Sequence, residues 1–556
     1  MSNYFEALNL DFPETTELDR QRNNILKATP WHPEPTTNVP YTSANRLLII
    51  GEISKAREIE RSLPEKMLCY IACPGDHNGE STTANAYNVS DFRVSGYLGH
   101  FEFLLKSGIT NNTENPDSGD INLAHLFNIP SGLFDQILDC GQSPSIGAAI
   151  KPPGYYYPGH NQETIALTVE QIPELIGEFE KPKYFQYDSS ICAHGRSGIS
   201  GCRRCIDACP TEAIISIGES IEVNPHLCQG GGTCSSVCPT GAIEYTYPRA
   251  TDQIEALRFI IKSMREQTGN KGIDLLIFDS EEGYQNVSGQ LDHLNSATIP
   301  FLVEEIGSVG LDLISSALAY GANRVFLLSP DSTPNQVKNS IAANIALITR
   351  VLEKTESNNY AVTQIENLSD IPKLETDFRI DNVATFAAIG DKRNTIRTAL
   401  GHFNSLSDSP AAHIDLPEGS LFGQIIIDSE SCTLCMGCVS QCPGKALQAG
   451  GESPALRFIE ANCVQCGICA QSCPESVISL QPRIHFDYSV ISKPQTLKEE
   501  APFLCISCGK AFATRAMIQK MTEKLKGHWM FDKPEALNRL RMCEDCRVVD
   551  MFDKED

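Results

Sequence analysis

Four short stretches of the chain share one pattern: CPTEAI from Cys209, CPTGAI from Cys238, CPGKAL from Cys442 and CPESVI from Cys473. Each closes a run of closely spaced cysteines. Thiolates are soft metal ligands, and cysteines grouped this way in a reducing compartment read as ligands rather than disulfides. The chain holds 22 cysteines: seven between Cys192 and Cys238, eight between Cys432 and Cys473, and four between Cys505 and Cys546. Cys69, Cys73 and Cys140 stand outside these groups, and an x3 spacing with no second pair makes Cys69 and Cys73 read as buried thiols.

The later group is regular. Cys432, Cys435, Cys438 and Cys442-Pro443 give C-x2-C-x2-C-x3-C-P, and Cys463, Cys466, Cys469 and Cys473-Pro474 repeat it. Three thiolates two residues apart suit a tight loop around three irons of one cubane. Pro443 and Pro474, like Pro210 and Pro239 in the earlier group, remove a backbone donor and help turn the chain at the cluster. Here the chain resembles the bacterial two-cluster ferredoxins. The resemblance implies that Cys432, Cys435, Cys438 and Cys473 hold one 4Fe-4S cluster, and that Cys463, Cys466, Cys469 and Cys442 hold another.

The earlier group departs from this pattern twice. Cys202, Cys205 and Cys209 are the last three of a motif whose first position, 199, is isoleucine. Cys192 lies further upstream, across AHGRSGIS, a segment of small residues able to loop the thiolate back. Cys192, Cys202, Cys205 and Cys238 are therefore assigned to one 4Fe-4S cluster. In CQGGGTCSSVCPTGAI the second position is Gly231, which leaves Cys228, Cys234 and the crossed Cys209 for the other site. Ferredoxins with this gap are similar to those holding a 3Fe-4S cluster, or a 4Fe-4S cluster with one labile iron. Ligand counting favours three irons. A four-iron cluster capped by His194, His226, water or a remote cysteine is the alternative, and a collapsed site is the bland reading.

CISCGKAF and MCEDC place Cys505, Cys508, Cys543 and Cys546 in two chelating knuckles. That arrangement suits one tetrahedral Zn2+, and the glycine after Cys508 resembles a zinc ribbon. A rubredoxin-like iron or a fifth cluster are the alternatives. Residues 510–547 carry nine Lys/Arg against five Asp/Glu, read as a solvated helix face or a docking patch for an acidic partner.

The elements that must position these ligands predict a multidomain α/β and α+β chain. Residues 1–180 read as a mixed α/β domain, with a strand at RLLIIG, a long strand at FRVSGYLGHFEFLL and a covering loop at KPPGYYYPGH. Residues 181–248 and 411–485 are the two dicluster modules, and 500–556 the metal-ribbon domain. Between the modules, 249–410 holds no cysteine and alternates helix with strand, predicting a parallel sheet with crossover helices. LLSPDSTPNQ and AAIGDKRNT read as capped helix starts rather than phosphate sites, and no dinucleotide or P-loop fingerprint is present. Residues 270–370, with IPFLVEEIGSVGLDLISSALAYGANRVFLLSPDS, are similar to a domain of the delta subunit of methyl-viologen-reducing hydrogenases. That resemblance implies a docking role, since the stretch lacks the cysteines for a 2Fe-2S cluster.

The net charge of −25 disfavours nucleic acid and anionic membranes and would steer a redox partner with a basic face. The polar, acidic N-terminus lacks a secretory pattern, and the longest aliphatic runs are too short for membrane insertion. The expectation is a cytoplasmic protein relaying electrons through about four clusters between redox partners. It would serve as a subunit or partner of a formate-dehydrogenase-like or hydrogenase-like complex. An enzyme acting at an open iron of the Cys209 site and an iron–sulfur sensor are the rival classes.

Overall fold

Runs of buried β-branched and leucine residues build two separate parallel sheets. The structure is a computed structural model that describes residues 4–10, 12–75, 81–106, 120–372, 379–388, 390–451 and 453–552. In the N-terminal domain the central strand Arg46–Ile50 pairs in parallel with Leu68–Pro74 on one side and Gln136–Asp139 on the other. Ala86–Val89 and Tyr155–Tyr156 extend the sheet, and Ser81–Thr83 adds an antiparallel edge. Alternate side chains enter two cores, one on each face, as strand geometry requires. Cys69 and Cys73 lie in one of these cores.

FRVSGYLGHFEFLL is not one long strand. It folds as two strands, Phe92–Ser95 and Glu102–Leu105, paired antiparallel. The glycines break it: Gly96 and Gly99 sit at φ 120° and 81°. A side chain on Gly99 would run into the Thr42 carbonyl, so the turn needs both the left-handed backbone and the missing Cβ.

The second sheet lies in the middle of the chain. Its strands are Asp274–Phe278, Thr298–Leu302, Arg324–Leu328 and Ala361–Ile365, all parallel, with Asp274–Phe278 between Thr298–Leu302 and Arg324–Leu328. Helices Ala250–Thr268, Leu311–Tyr320, Asn335–Lys354 and Lys392–Leu406 cover it and share its core. Asp391 caps the last of these on Asn394 N, although Ile389 of AAIGDKRNT lies outside the described residues. The helix after LLSPDSTPNQ begins at Asn335 with no side-chain cap.

Two N-terminal helices, Tyr4–Leu8 and Glu17–Ala28, pack into the core of this middle domain rather than those of the sheet that follows them in sequence. Tyr4 stacks on Phe301 at 5.1 Å and is bordered by Trp31.

The two cysteine-rich units are small and built on hairpins. In the first, Phe185–Tyr187 pairs with Ile243–Tyr245, and Ile214–Ile217 with Ser220–Val223. In the second, Gly423–Ile427 pairs with Ile478–His485, and Leu447–Ala449 with Ala455–Phe458. The C-terminal unit is a hairpin, Pro502–Leu504 with Ala511–Thr514, followed by helices Arg515–Leu525, Pro534–Arg539 and Glu544–Phe552.

Candidate metal centres

The four CP repeats share a backbone conformation as well as a sequence. Three residues after each cysteine the chain turns left-handed, at Glu212 (φ 52°), Gly241 (76°), Lys445 (52°) and Ser476 (53°). Three of these are not glycine, and a left-handed L-residue costs about 1–2 kcal/mol. The same strain repeated at equivalent places marks a conserved internal geometry rather than an accident of one loop.

The ligand loops repeat as well. In CTLCMGC, Leu434 and Met436 flank Cys435 at φ 53° and 60°; in CVQCGIC, Gln465 and Gly467 flank Cys466 at 54° and 81°. Alternating left-handed residues turn successive N–H groups into one concavity, which suits an anionic cluster. In CQGGGTC the flanking residues are Gly230 and Gly232, at φ 87° and 68°. Gly231 therefore occupies the place of the second cysteine in a loop that is otherwise fully formed. The Cys192 motif differs, because Arg203 between Cys202 and Cys205 sits at φ −117°.

The four sets of cysteines expected as cluster ligands are gathered in space. Cys432, Cys435, Cys438 and Cys473 line one small pocket, with Leu434, Met436 and Ile478 among its apolar walls. Cys442, Cys463, Cys466 and Cys469 line another. In both, the fourth cysteine comes from the opposite motif. Burial, then the nearby Cys435, Cys432 and Cys473, push the Cys438 thiol up to about 12. Burial, then Cys463, Cys466 and Cys442, raise Cys469.

In the first unit, burial and then Cys238, Cys202 and Cys192 push Cys205 up to about 12. The AHGRSGIS segment forms a small hairpin, Gly195–Arg196 with Ile199–Ser200, that brings Cys192 beside Cys202. Burial and then Cys228, Cys209 and Cys205 raise Cys234 well above an ordinary thiol. Iron ligation requires the thiolate, so loading sites of this kind releases protons.

Neither histidine is offered to the Gly231 corner. His194 is buried with Nδ1 at 2.9 Å from the Cys202 carbonyl and Nε2 at 2.7 Å from Ser216 Oγ. His226 stacks on Tyr97 at 4.3 Å. Gly232 packs on Ser308, and the Gly231 carbonyl faces Gly307, both in the loop after strand Thr298–Leu302. Glu305 of that loop lies in the field of Cys228. Burial, then Asp279, Glu281 and Glu304, push the Glu305 carboxyl up to about 8.

Polar groups converge on the ligand loops. Lys181 Nζ donates to the carbonyls of Cys228 (2.6 Å) and His226 (2.9 Å). Lys392 Nζ donates to those of Ser235 (2.6 Å) and Ser236 (2.7 Å). Ala446 N donates to Cys442 Sγ at 3.2 Å and Gln465 Nε2 to Cys463 Sγ at 3.3 Å. Hydrogen bonds to the sulfurs are a main control of cluster potential. Upstream of KPPGYYYPGH, Ile150 N donates to the Pro210 carbonyl at 3.0 Å, so this segment rests against the Cys209 turn.

The two cysteine-rich units touch. Ile468 of the second lies against Gly201 of the first, leaving no room for a side chain there. Arg204 donates to Ser420 O at 3.0 Å, and Cys202 lies in the field of Cys466. The residue that joins them is Arg393, from the middle domain. Its guanidinium donates to the carbonyls of Pro239 (3.0 Å), Leu421 (2.9 Å) and Cys463 (2.8 Å). It lies over the buried Phe422 ring at 4.7 Å, beside Arg397 at 4.5 Å. Burial, then Arg397, depress its guanidinium to about 9. Sequence reasoning missed Arg393; its only trace was the basic pair in AAIGDKRNT, read there as part of a helix cap.

The C-terminal four thiols have a different geometry. Their Sγ atoms all lie within 4.8 Å of one another, and Cys508 and Cys543 are 3.7 Å apart. Tetrahedral bonds of about 2.3 Å put thiolates about 3.8 Å apart around a single ion. Burial opposes ionisation of Cys505, but backbone N–H groups of Cys508, Cys543 and Ser507 outweigh it and bring the thiol down to about 6. The domain sits on the neighbouring cluster loop: Thr514 Oγ1 donates to Thr433 O at 2.8 Å, and Lys520 pairs with Glu475.

Fold and ligand sets define a mixed α/β protein carrying ferredoxin-type iron–sulfur modules. Family models agree over the same residues. A 4Fe-4S dicluster domain matches 424–474, and 4Fe-4S binding domains match 192–212 and 221–244. The chain is similar to the ferredoxin-type protein NapF of Escherichia coli K12, 43% identical over 49 residues, 9% of this chain and 30% of NapF. It is also similar to the pyruvate synthase subunit PorD of Thermotoga maritima, 36% identical over 62 residues, 11% of this chain and 61% of PorD. The matched segments thus span under two thirds of either relative. The chain carries ferredoxin-like iron–sulfur modules with 4Fe-4S binding domains. Among the described residues no helix is long and apolar enough to cross a membrane.

Proposed function

We propose that the chain relays electrons between redox proteins through four cluster sites arranged in series. The observation that carries this reading is the succession of neighbouring thiols: Cys438 near Cys469, Cys466 near Cys202, and Cys205 near Cys234. The order is therefore the Cys432/Cys435/Cys438/Cys473 site, the Cys442/Cys463/Cys466/Cys469 site, the Cys192/Cys202/Cys205/Cys238 site and the Cys209/Cys228/Cys234 site. Iron–sulfur clusters, when bound, supply one-electron carriers at these positions. The protein's part is to hold the sites in line, exclude water and aim N–H groups at the sulfurs.

The outer sites differ. At one end Cys435 is exposed, giving a partner access. At the other, the three-thiolate site is packed against the loop Ile306–Ser308, which favours a carrier over a substrate-binding open iron. Three irons suit that site, and one Zn2+ suits the C-terminal four thiols. The partner would be a dehydrogenase or hydrogenase subunit in the cytoplasm, in keeping with the docking role read from residues 270–370.

Iron, sulfide and zinc quantification with electron paramagnetic resonance on anaerobically purified protein tests the reading. Three four-iron clusters and one three-iron cluster give about fifteen irons per chain. A protein that takes up fewer than two clusters would refute it.

A further inference from the structure

We propose that Arg393 sets the reduction potentials of the two inner sites, by holding one enclosed positive charge between them. The inference rests on the relay reading and adds to it a tuning residue outside every cysteine motif.

One guanidinium touches the backbone of both ligand sets. Its bond to Cys463 O reaches a ligand of one inner site, and its bond to Pro239 O reaches the residue next to Cys238, a ligand of the other. Arg393 as a whole is partly exposed, but its guanidinium is enclosed by these carbonyls and the Phe422 ring. Among the described residues no carboxylate forms an ion pair with it. Glu460 is engaged by Arg483, with contacts of 3.0 and 2.6 Å. Asp391 lies in the field of Arg393 but bonds to Asn394, at 2.8 Å and 2.6 Å. The other charged groups facing this junction are cations: Arg204, Arg397 and Lys392. A cationic junction is thus built into a chain of net charge −25.

A simple clamp does not need this charge. Enclosing a guanidinium without a carboxylate is costly, and a neutral amide could tie two of the same carbonyls. The charge has a use if its counterions are the clusters. Each site becomes more negative by one unit on taking up one electron, so a nearby fixed cation stabilises the reduced form. With the cation shared, both inner sites are raised together, and an electron arriving from either end finds acceptors there.

The test is a potentiometric titration of the full-length, anaerobically purified protein, reduced with dithionite and followed by electron paramagnetic resonance. Wild type, Arg393→Gln, Arg393→Lys and Arg204→Gln are compared. In Arg393→Gln two midpoints fall while the two outer ones hold, and Arg393→Lys restores most of the shift. Arg204→Gln removes a junction cation without touching the Arg393 bonds, and lowers the Cys202 site alone by a smaller amount. Unchanged midpoints in a fully loaded Arg393→Gln protein would overturn the proposal and leave Arg393 a clamp. Should Arg393→Gln fail to load iron, unchanged midpoints in Arg204→Gln overturn it equally. Failure of the wild type to bind clusters would instead sink the relay reading.

Discussion

Replacing Gly231 with cysteine should turn the three-thiolate site into a four-thiolate site. The structure says why this position accepts a side chain. A Cβ on Gly231 would meet only Pro210 Cγ, at 3.7 Å, an ordinary contact, and Gly231 is not left-handed. Replacing a glycine where the backbone is unstrained contributes about 0.4–1 kcal/mol of stability through the unfolded chain. Its neighbour gives the contrast. A Cβ on Gly232, at φ 68°, would lie 2.5–2.8 Å from Ser308 atoms. The left-handed backbone costs about 1–2 kcal/mol and the overlap about 1–3 kcal/mol more. Gly231→Cys should therefore fold at least as well as the parent and bind one more iron per chain. It should also lose the oxidised three-iron resonance. Gly232→Ala should melt lower. Iron counts with resonance spectra on the parent and both variants decide it. A parent that already binds four irons here, or a Gly231→Cys protein that keeps the three-iron signal, would show that the ligand count was misjudged.

Cys508→Ser should abolish zinc binding while leaving the iron content unchanged, and should make the C-terminal domain sensitive to limited proteolysis. Gly201→Val drives a side chain into Ile468, whose atoms lie 2.5–2.6 Å from a Cβ there; the spin coupling between inner clusters in the reduced protein should weaken, as resonance line shapes would reveal. Glu305 is raised from 4.5 to about 8, so the native state keeps a proton that the unfolded state loses. Its contribution is complete below about pH 4.5 and is lost as pH rises towards 8. Glu305→Gln should flatten the decline in melting temperature between pH 5 and 8, and an unchanged slope would refute the assignment.

The ferredoxin-type modules were legible because cluster chemistry fixes cysteine spacing over a few residues: the chain writes the full spacing twice and its closing Cys-Pro pattern four times. The alternation of helix and strand in the middle domain was legible for a similar reason: buried parallel strands read as apolar runs. What escaped depends on contacts distant in sequence. Arg393 lies 70 residues from Cys463 and 154 from Pro239, and nothing local distinguishes it from any helical arginine. The split of FRVSGYLGHFEFLL turned partly on Gly99, whose need appears only when the distant Thr42 carbonyl is seen beside it. His194 reads as a candidate cap for a four-iron cluster until Ser216 is placed at its ring.

The seat of Tyr4 has a consequence for biosynthesis. Its hydroxyl bonds to Leu302 O, across 298 residues of chain. At about 5–20 residues per second, a nascent chain waits roughly 15–60 s between making the two partners. During that wait the first cysteine unit leaves the ribosome complete, while the helices that will latch onto the middle domain are still loose. Iron delivery to Cys192–Cys238 can thus precede closure, whereas the second unit is synthesised onto a body whose latch can already be shut. On the proposed relay, the first unit is thus open to metal earlier than the second.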